Sequence, residues 1–294
     1  ITGADLTNGS VTWMTVAAGD ELRLTSGQAT GQTILAAENA SAVITVSGLA
    51  GDANLTNIGN ATATVNATVT SSIDITSNGN LGNVDAYTVS SSQTLTALAS
   101  QVVGKVVNGE GALTVNGTAT GATDLSSLSA DVVDITGADL TNGSVTWMTV
   151  AAGDELRLTS GQATGQTILA AENASAVITV SGLAGDANLT TIGNDTATVN
   201  ATVTGSIDIT GNVHLGKVDT YTVSSGFTLT ALASQVTGLT VNGIGTGNIA
   251  VTALHSTLAA DLSLLSSASG TVTAAFDASG TFTGNLGNAV VTVA

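Results

Sequence analysis

The side chains able to do acid–base chemistry are few and poorly placed for it. Only two histidines, His214 and His255, could take a proton from a serine or threonine nucleophile. His214 stands where an earlier copy of the same passage has Asn80, and His255 lies in a diverged tail, so both read as polar surface positions. Cysteine is absent, which removes thiol chemistry and any disulfide framework. The four bases, Arg23, Lys105, Arg157 and Lys217, are scattered and form no group with acids that a lyase-like site would need. No catalytic residue is assigned, and the chain is not expected to be an enzyme.

Metal chemistry has one weak opening. The loops AGDEL (18–22) and AGDAN (50–54), with their copies at 152–156 and 184–188, set acids beside the backbone carbonyls of glycine turns. Calcium needs several oxygens converging at 2.3–2.6 Å. Asp20, Glu21, Asp52, Asp154, Glu155 and Asp186 are therefore the candidate Ca²⁺ ligands. The simpler reading makes them solvated turn acids, since the repeating calcium-binding nonapeptide pattern is missing. No other cofactor is expected. Bulk divalent cations would still relieve repulsion along so acidic a chain.

Two further patterns bear on surfaces. Trp13-Met14 and Trp147-Met148 are the only Trp-Met pairs. In a strand, neighbours point to opposite faces, so one of each pair falls outside the core and becomes a candidate self-association contact. Thr-x-Thr recurs at 62–64, 68–70, 94–96, 118–120, 271–273 and 281–283, but with no constant period. Threonine is a good strand residue, so ice binding stays a remote alternative. The Asn-x-Ser/Thr triplets at Asn8, Asn39, Asn54, Asn60, Asn66 and Asn116 read as turn and ladder chemistry rather than glycan acceptors.

The elements that carry these residues come from a tandem repeat. Residues 1–56 and 135–190 are identical, and the copies align without a gap as far as Gly109 and Gly243, with 13 differences. This divides the chain into repeat unit 1 (1–134), repeat unit 2 (135–268, diverging after 243) and the start of a diverged third unit (269–294), expected to form one continuous solenoid. Leu24 onward and Leu95 onward echo one another more weakly, with a period near 63 to 71 residues. Both close on (N/D)-L-(S/T)-x-(I/L). Such nested repeats signal solenoids or strings of β-domains.

Locally the alternation is two-residue: AVITVSG (42–48), TATVNATVT (62–70), SSIDIT (71–76) and ALTVNG (112–117) each put apolar residues on one face. Asn-Gly at 8–9, 78–79, 108–109, 116–117, 142–143 and 242–243 predicts turns with positive φ. TALAS and TILAAEN are read as loops or bulged rungs, too short to stand as helices. Aromatics are 2% and proline is zero. A sandwich core usually wants large aromatics, whereas a narrow coil suits stacked Val, Ile, Leu and Ala. The expected fold is all-β, a parallel β-solenoid (β-helix) with coils of about 20 residues. Tandem Ig-like β-sandwiches are the alternative.

Charge and hydropathy exclude other classes. A net charge of −17 argues against nucleic acid and against anionic membranes. No apolar run reaches the roughly 18 residues of a membrane span. No signal peptide is visible, and Ile1 is not a start methionine, so an export signal is expected outside this stretch.

The phrases LTxxQAxG, AVITVSGLAGDANLTNI, LGNVDAYTVSSxxTLTALASQV and GTFTGNLGNAVVTV resemble the giant secreted β-strand-repeat surface proteins of bacteria, acidic chains grouped with adhesins and surface-layer-like proteins. The resemblance implies an extracellular or cell-surface location in a bacterium, a structural or adhesive role, and no catalytic residues to carry over. The expected function is structural: an extracellular filament, sheath or adhesin stalk, as in a biofilm matrix, with copies of itself as partner. A ligand-binding adhesin array recognising cell-surface glycans is the alternative.

Overall fold

The computed structural model describes residues 14–38, 41–172, 175–255, 259–276 and 282–293. Parallel strands stack as a β-solenoid of about 13 turns, and only about 6% of the chain is helical. By contacts the chain forms two compact units, Ile1–Met148 and Thr149–Ala294.

In the first unit the main sheet runs through the strands Glu21–Thr25, Ala42–Ser47, Ala63–Val69, Val84–Val89, Val106–Thr118 and Leu128–Asp139, each parallel to the next. One inward column reads Leu24, Val46, Ala67, Tyr87, Val107, Leu128, in steps of 22, 21, 20, 20 and 21 residues. The alternation puts every second side chain inside, so a whole-coil step returns an apolar residue to the same stack. Tyr87 has Ala67 as its neighbour below, and the small side chain leaves room for the ring. Both are 1% exposed.

The second unit repeats this with Leu158, Val180, Ala201, Tyr221, Val241 and Leu265. Its five-stranded second sheet is Ile207–Asp208, Thr228–Leu232, Asn248–Leu254, Val272–Phe276 and Val290–Val293. Each aliphatic side chain fully withdrawn from water contributes about 1.5–3 kcal/mol. The 13 positions that differ between the copies are all outside the core in both. The repeat conserves what is buried.

Three local expectations need correction. TALAS does not end as a loop: after the strand Thr94–Leu98 the chain makes one helical turn, α2 (Ala99–Val102). The same turn occurs as α1 (Ser26–Ala29), α3 (Ser160–Ala163) and α4 (Ala233–Val236). TILAAEN, by contrast, does supply a short rung, the strand Ile34–Ala36. A glutamine at the third helical position explains the turns, because its side-chain oxygen accepts the N–H of the residue that begins the turn, Gln101 from Leu98 at 2.7 Å and Gln235 from Leu232 at 2.8 Å. One turn of helix is stabilised by that cap, not by its length.

The second correction concerns the weak echo, whose structural offset is 73 residues: Gln28 matches Gln101 and Gly31 matches Gly104. The third concerns Asn-Gly. Only Gly109 and Gly117 of those pairs have positive φ among the described residues, and both lie inside the Val106–Thr118 strand. Parallel coils contain no hairpins, so the turn that Asn-Gly favours is not called for. The pair at 8–9 lies outside the described residues.

Candidate functional site

The corners of the coil are built by short polar signatures. In DIT (74–76), DLS (124–126), DLT (139–141), DIT (208–210) and DLS (261–263), the aspartate accepts the side-chain hydroxyl two residues on, at 2.6–2.7 Å. It also accepts that residue's backbone N–H. The apolar residue between them is buried in each case. This is the (N/D)-L-(S/T) closing signature, an Asx turn that aims Leu or Ile inward. The hydrogen bonds, from the hydroxyl first and the N–H second, hold Asp74, Asp124, Asp139, Asp208 and Asp261 below the usual carboxylate range.

Amides tie one coil to another. Asn78 is buried, and its Nδ2 donates to Gly51 O at 3.0 Å and Ala53 O at 2.9 Å, while its Oδ1 accepts Asn80 N–H. Asn212 repeats the contact on Ala187 O. Among the described residues no buried side-chain nitrogen or oxygen lacks a hydrogen-bond partner. The polar side chains of these corners are occupied in holding the coil together.

The candidate calcium ligands are not brought into a cluster. Among the described residues, no group of three or more His, Cys, Asp or Glu could hold a metal. Glu21 pairs with Arg23 at 3.0 Å and accepts Thr45 Oγ1 at 2.9 Å. Glu155 pairs with Arg157 at 2.6 Å and accepts Thr179 Oγ1 at 2.7 Å. Both glutamates are held below their ordinary pKa, first by the arginine hydrogen bond. Asp20, Asp52 and Asp186 are exposed, whereas Asp154 is buried.

Trp13 lies outside the described residues. Met14 begins the strand Met14–Val16 and is half-buried. Trp147 is half-buried and Met148 is 2% exposed. His214 and His255 are exposed. Asn54 Oδ1 accepts Thr56 N–H and Asn60 Oδ1 accepts Thr62 Oγ1, so these two triplets do turn chemistry. Asn8 and Asn39 lie outside the described residues.

Two surfaces were not legible beforehand. The first is the outer face of the main sheet. Thr68, Thr88, Asn108 and Ser129 stand on successive rungs of the first unit, and Thr202, Thr222, Asn242 and Ser266 on those of the second. Beside them run Arg23, Thr45, Asn66, Ala86, Val106 and Arg157, Thr179, Asn200, Thr220, Thr240. In these two columns the charged residues are the two arginines, each neutralised by its glutamate. Thr88 and Asn108 bond along the ladder at 2.9 Å, as do Ser266 and Asn242 at 2.8 Å. The Thr-x-Thr pattern does not mark this ladder, which mixes Thr with Ser and Asn from different coils.

The second surface is a groove of about 410 Å³ in the first unit and about 470 Å³ in the second, at positions 134 residues apart. Tyr87 or Tyr221 and Gln101 or Gln235 line both, but Gly79 and Lys105 in one become Val213 and Leu239 in the other. Val213 is 84% exposed. Burial pushes both tyrosine hydroxyls up to about 12.

Among the described residues no helix is long and apolar enough to cross a membrane. No family model matches the chain, and no curated protein or solved structure matches it.

Proposed function

We propose that the chain is a structural, non-catalytic segment of an extracellular or cell-surface filament, sheath or adhesin stalk, associating laterally with copies of itself. The observation that carries this reading is the distribution of charge. The net charge is −17, yet the two central columns on the outer face of the main sheet carry only the charge-neutral Glu21–Arg23 and Glu155–Arg157 pairs. Like-charged copies repel, and an uncharged face of mostly hydroxyl and amide side chains, with Ala86 and the exposed Val106 among them, is where such copies approach at least cost. The coil-to-coil hydrogen bonds support the mechanical part, because stability in stacked repeats accumulates from neighbour to neighbour.

Sedimentation velocity and electron microscopy on the purified chain test this. Association should increase with salt, which screens the acidic faces. Thr68→Lys with Thr202→Lys should abolish it, while Asn57→Lys, at a corner position where the copies already differ, should not. A chain that stays monomeric at every concentration and salt level would overturn the proposal.

The paired grooves favour a second reading, an adhesin array with one neutral-ligand site per unit. Binding to a glycan array that is lost on Val213→Lys would select it. Thermal hysteresis from the hydroxyl face would instead select ice binding.

A further inference from the structure

The two units solve one corner differently. In the second unit the Lys217 ammonium donates to three backbone carbonyls of a single turn: Asn194 O at 3.0 Å, Asp195 O at 3.1 Å and Ala197 O at 2.7 Å. All three ammonium protons are used. Asn194 O accepts the Ala197 N–H at 3.1 Å as well, so that carbonyl serves two donors at once.

The first unit builds the same turn from Asn60 to Ala63. Ala63 N donates to Asn60 O at 3.0 Å, and Gly59 N donates to Ile34 O at 2.8 Å, as Gly193 N does to Ile168 O at 2.7 Å. Asn60 Nδ2 donates to Ala36 O at 3.0 Å, matching Asn194 on Ala170 O at 2.9 Å. Thr62 closes on Asn60 at 3.1 Å and Thr196 on Asn194 at 3.0 Å. Val65 N reaches Asp85, and Val199 N reaches Asp219, both at 2.8 Å. Five shared hydrogen bonds hold the two turns in one shape.

What differs is the residue above, together with one residue of the turn itself, Ala61 in the first unit and Asp195 in the second. Position 83 is asparagine where 217 is lysine, and Asn83 Nδ2 donates instead to Gly59 O at 3.2 Å. Ala63 is half-buried, whereas Ala197, in contact with the lysine ammonium, is 2% exposed.

We propose that the carbonyls of Asn60, Ala61 and Ala63 bind a monovalent cation of ammonium size, potassium or ammonium itself, where the second unit supplies its own Lys217. The ligands are neutral carbonyls, and the distances of the copy suit a large, singly charged ion. Calcium would need oxygens drawn in to 2.3–2.6 Å and favours carboxylates. The acidic surface raises the local concentration of any cation. A lysine of another protein offers the same chemistry, and methylammonium serves as its probe.

The test compares the full-length chain with Asn83→Lys and Lys217→Asn, melted in potassium chloride and in tetramethylammonium chloride at equal ionic strength. A bound ion stabilises in proportion to occupancy. The wild type should melt about 2–4 °C higher in potassium well above its Kd. Asn83→Lys, which fills the cradle, should lose the difference, and Lys217→Asn should increase it. Thallium(I) NMR gives direct binding: one site in the wild type, none in Asn83→Lys and two in Lys217→Asn. Should Lys217→Asn fail to fold, the first two proteins suffice. An equal response in wild type and Asn83→Lys, or none in the wild type, overturns the proposal. Response to calcium but not potassium overturns the ion class. Stronger competition by methylammonium than by potassium reassigns the cradle to a partner's lysine and overturns the free-ion reading.

Discussion

Gln101 and Asn78 form a relay across three coils. Gln101 Nε2 donates to Asn78 O at 2.9 Å and to Ile75 O at 2.7 Å, one coil back. Asn78 in turn donates its amide to Gly51 O and Ala53 O, one coil further. Gln235 and Asn212 repeat the link at the same 2.9 Å.

Removing the relay should be costly for so small a change. Gln101→Ala deletes two donors and the acceptor that caps α2, so Leu98 N–H and Asn78 O lose their glutamine partner, while Ile75 O keeps the Asn78 N–H. A loss of about 1–3 kcal/mol is expected for Gln101→Ala and again for Gln235→Ala. Urea unfolding midpoints check this; a change within about 0.5 kcal/mol would show the relay to be ornamental.

Glycine tolerance should split by position. Gly82 and Gly216 have φ of 59° and 60°, and an added Cβ would meet the carbonyls of Leu55 and Leu189 in the coil below. Gly82→Ala should therefore destabilise by more than the 1–2 kcal/mol of a left-handed residue alone. Gly79→Ala, with open space around it, should be nearly neutral. Thermal melts of the two variants decide it.

High pH should unfold the chain through its tyrosines. The folded pKa of Tyr87 and Tyr221 is raised to about 12 by burial, against about 10 in the unfolded chain. The stability of the neutral phenols is complete below about pH 10 and is lost as pH rises through about 12. These are the chain's two tyrosines. Tyrosinate absorbance should therefore rise together with loss of β-sheet circular dichroism; ionisation of a chain still folded at pH 10 would contradict the burial.

Low pH should act through the corners. Asp74 and Asp208, with hydroxyl and N–H donors on each carboxylate, have lowered folded pKa values. Their contribution is present above the unfolded value near 3.9 and is lost as pH falls through the folded value. Asp74→Asn with Asp208→Asn keeps an acceptor in each turn and should flatten the melting profile below about pH 4. An unchanged acid limb would place the acid sensitivity elsewhere.

Much of the fold is written in the two-residue alternation, because burial on one side of a strand leaves a direct mark. Val65, Ala67 and Val69 face the core, with Asn66 and Thr68 outside, as AVITVSG and TATVNATVT imply. The (N/D)-L-(S/T)-x-(I/L) closing signature is likewise local, since aspartate, hydroxyl and buried leucine lie within three residues. The one-turn helices were not legible: four residues carry no 3.6-residue period, and the cap rests on a single glutamine. The cation cradle is hidden for a different reason. Its ligands are main-chain oxygens, which leave no signature, and only topology brings Lys217 back onto a turn some 20 residues earlier. The hydroxyl ladder falls between these cases, for its members are strand residues whose alignment depends on coil lengths that vary from 20 to 24.

That variation, together with the placement of all 13 inter-copy differences outside the core, separates chassis from display. A chain built on this coil could change what its outer positions present to solvent without renegotiating how it folds.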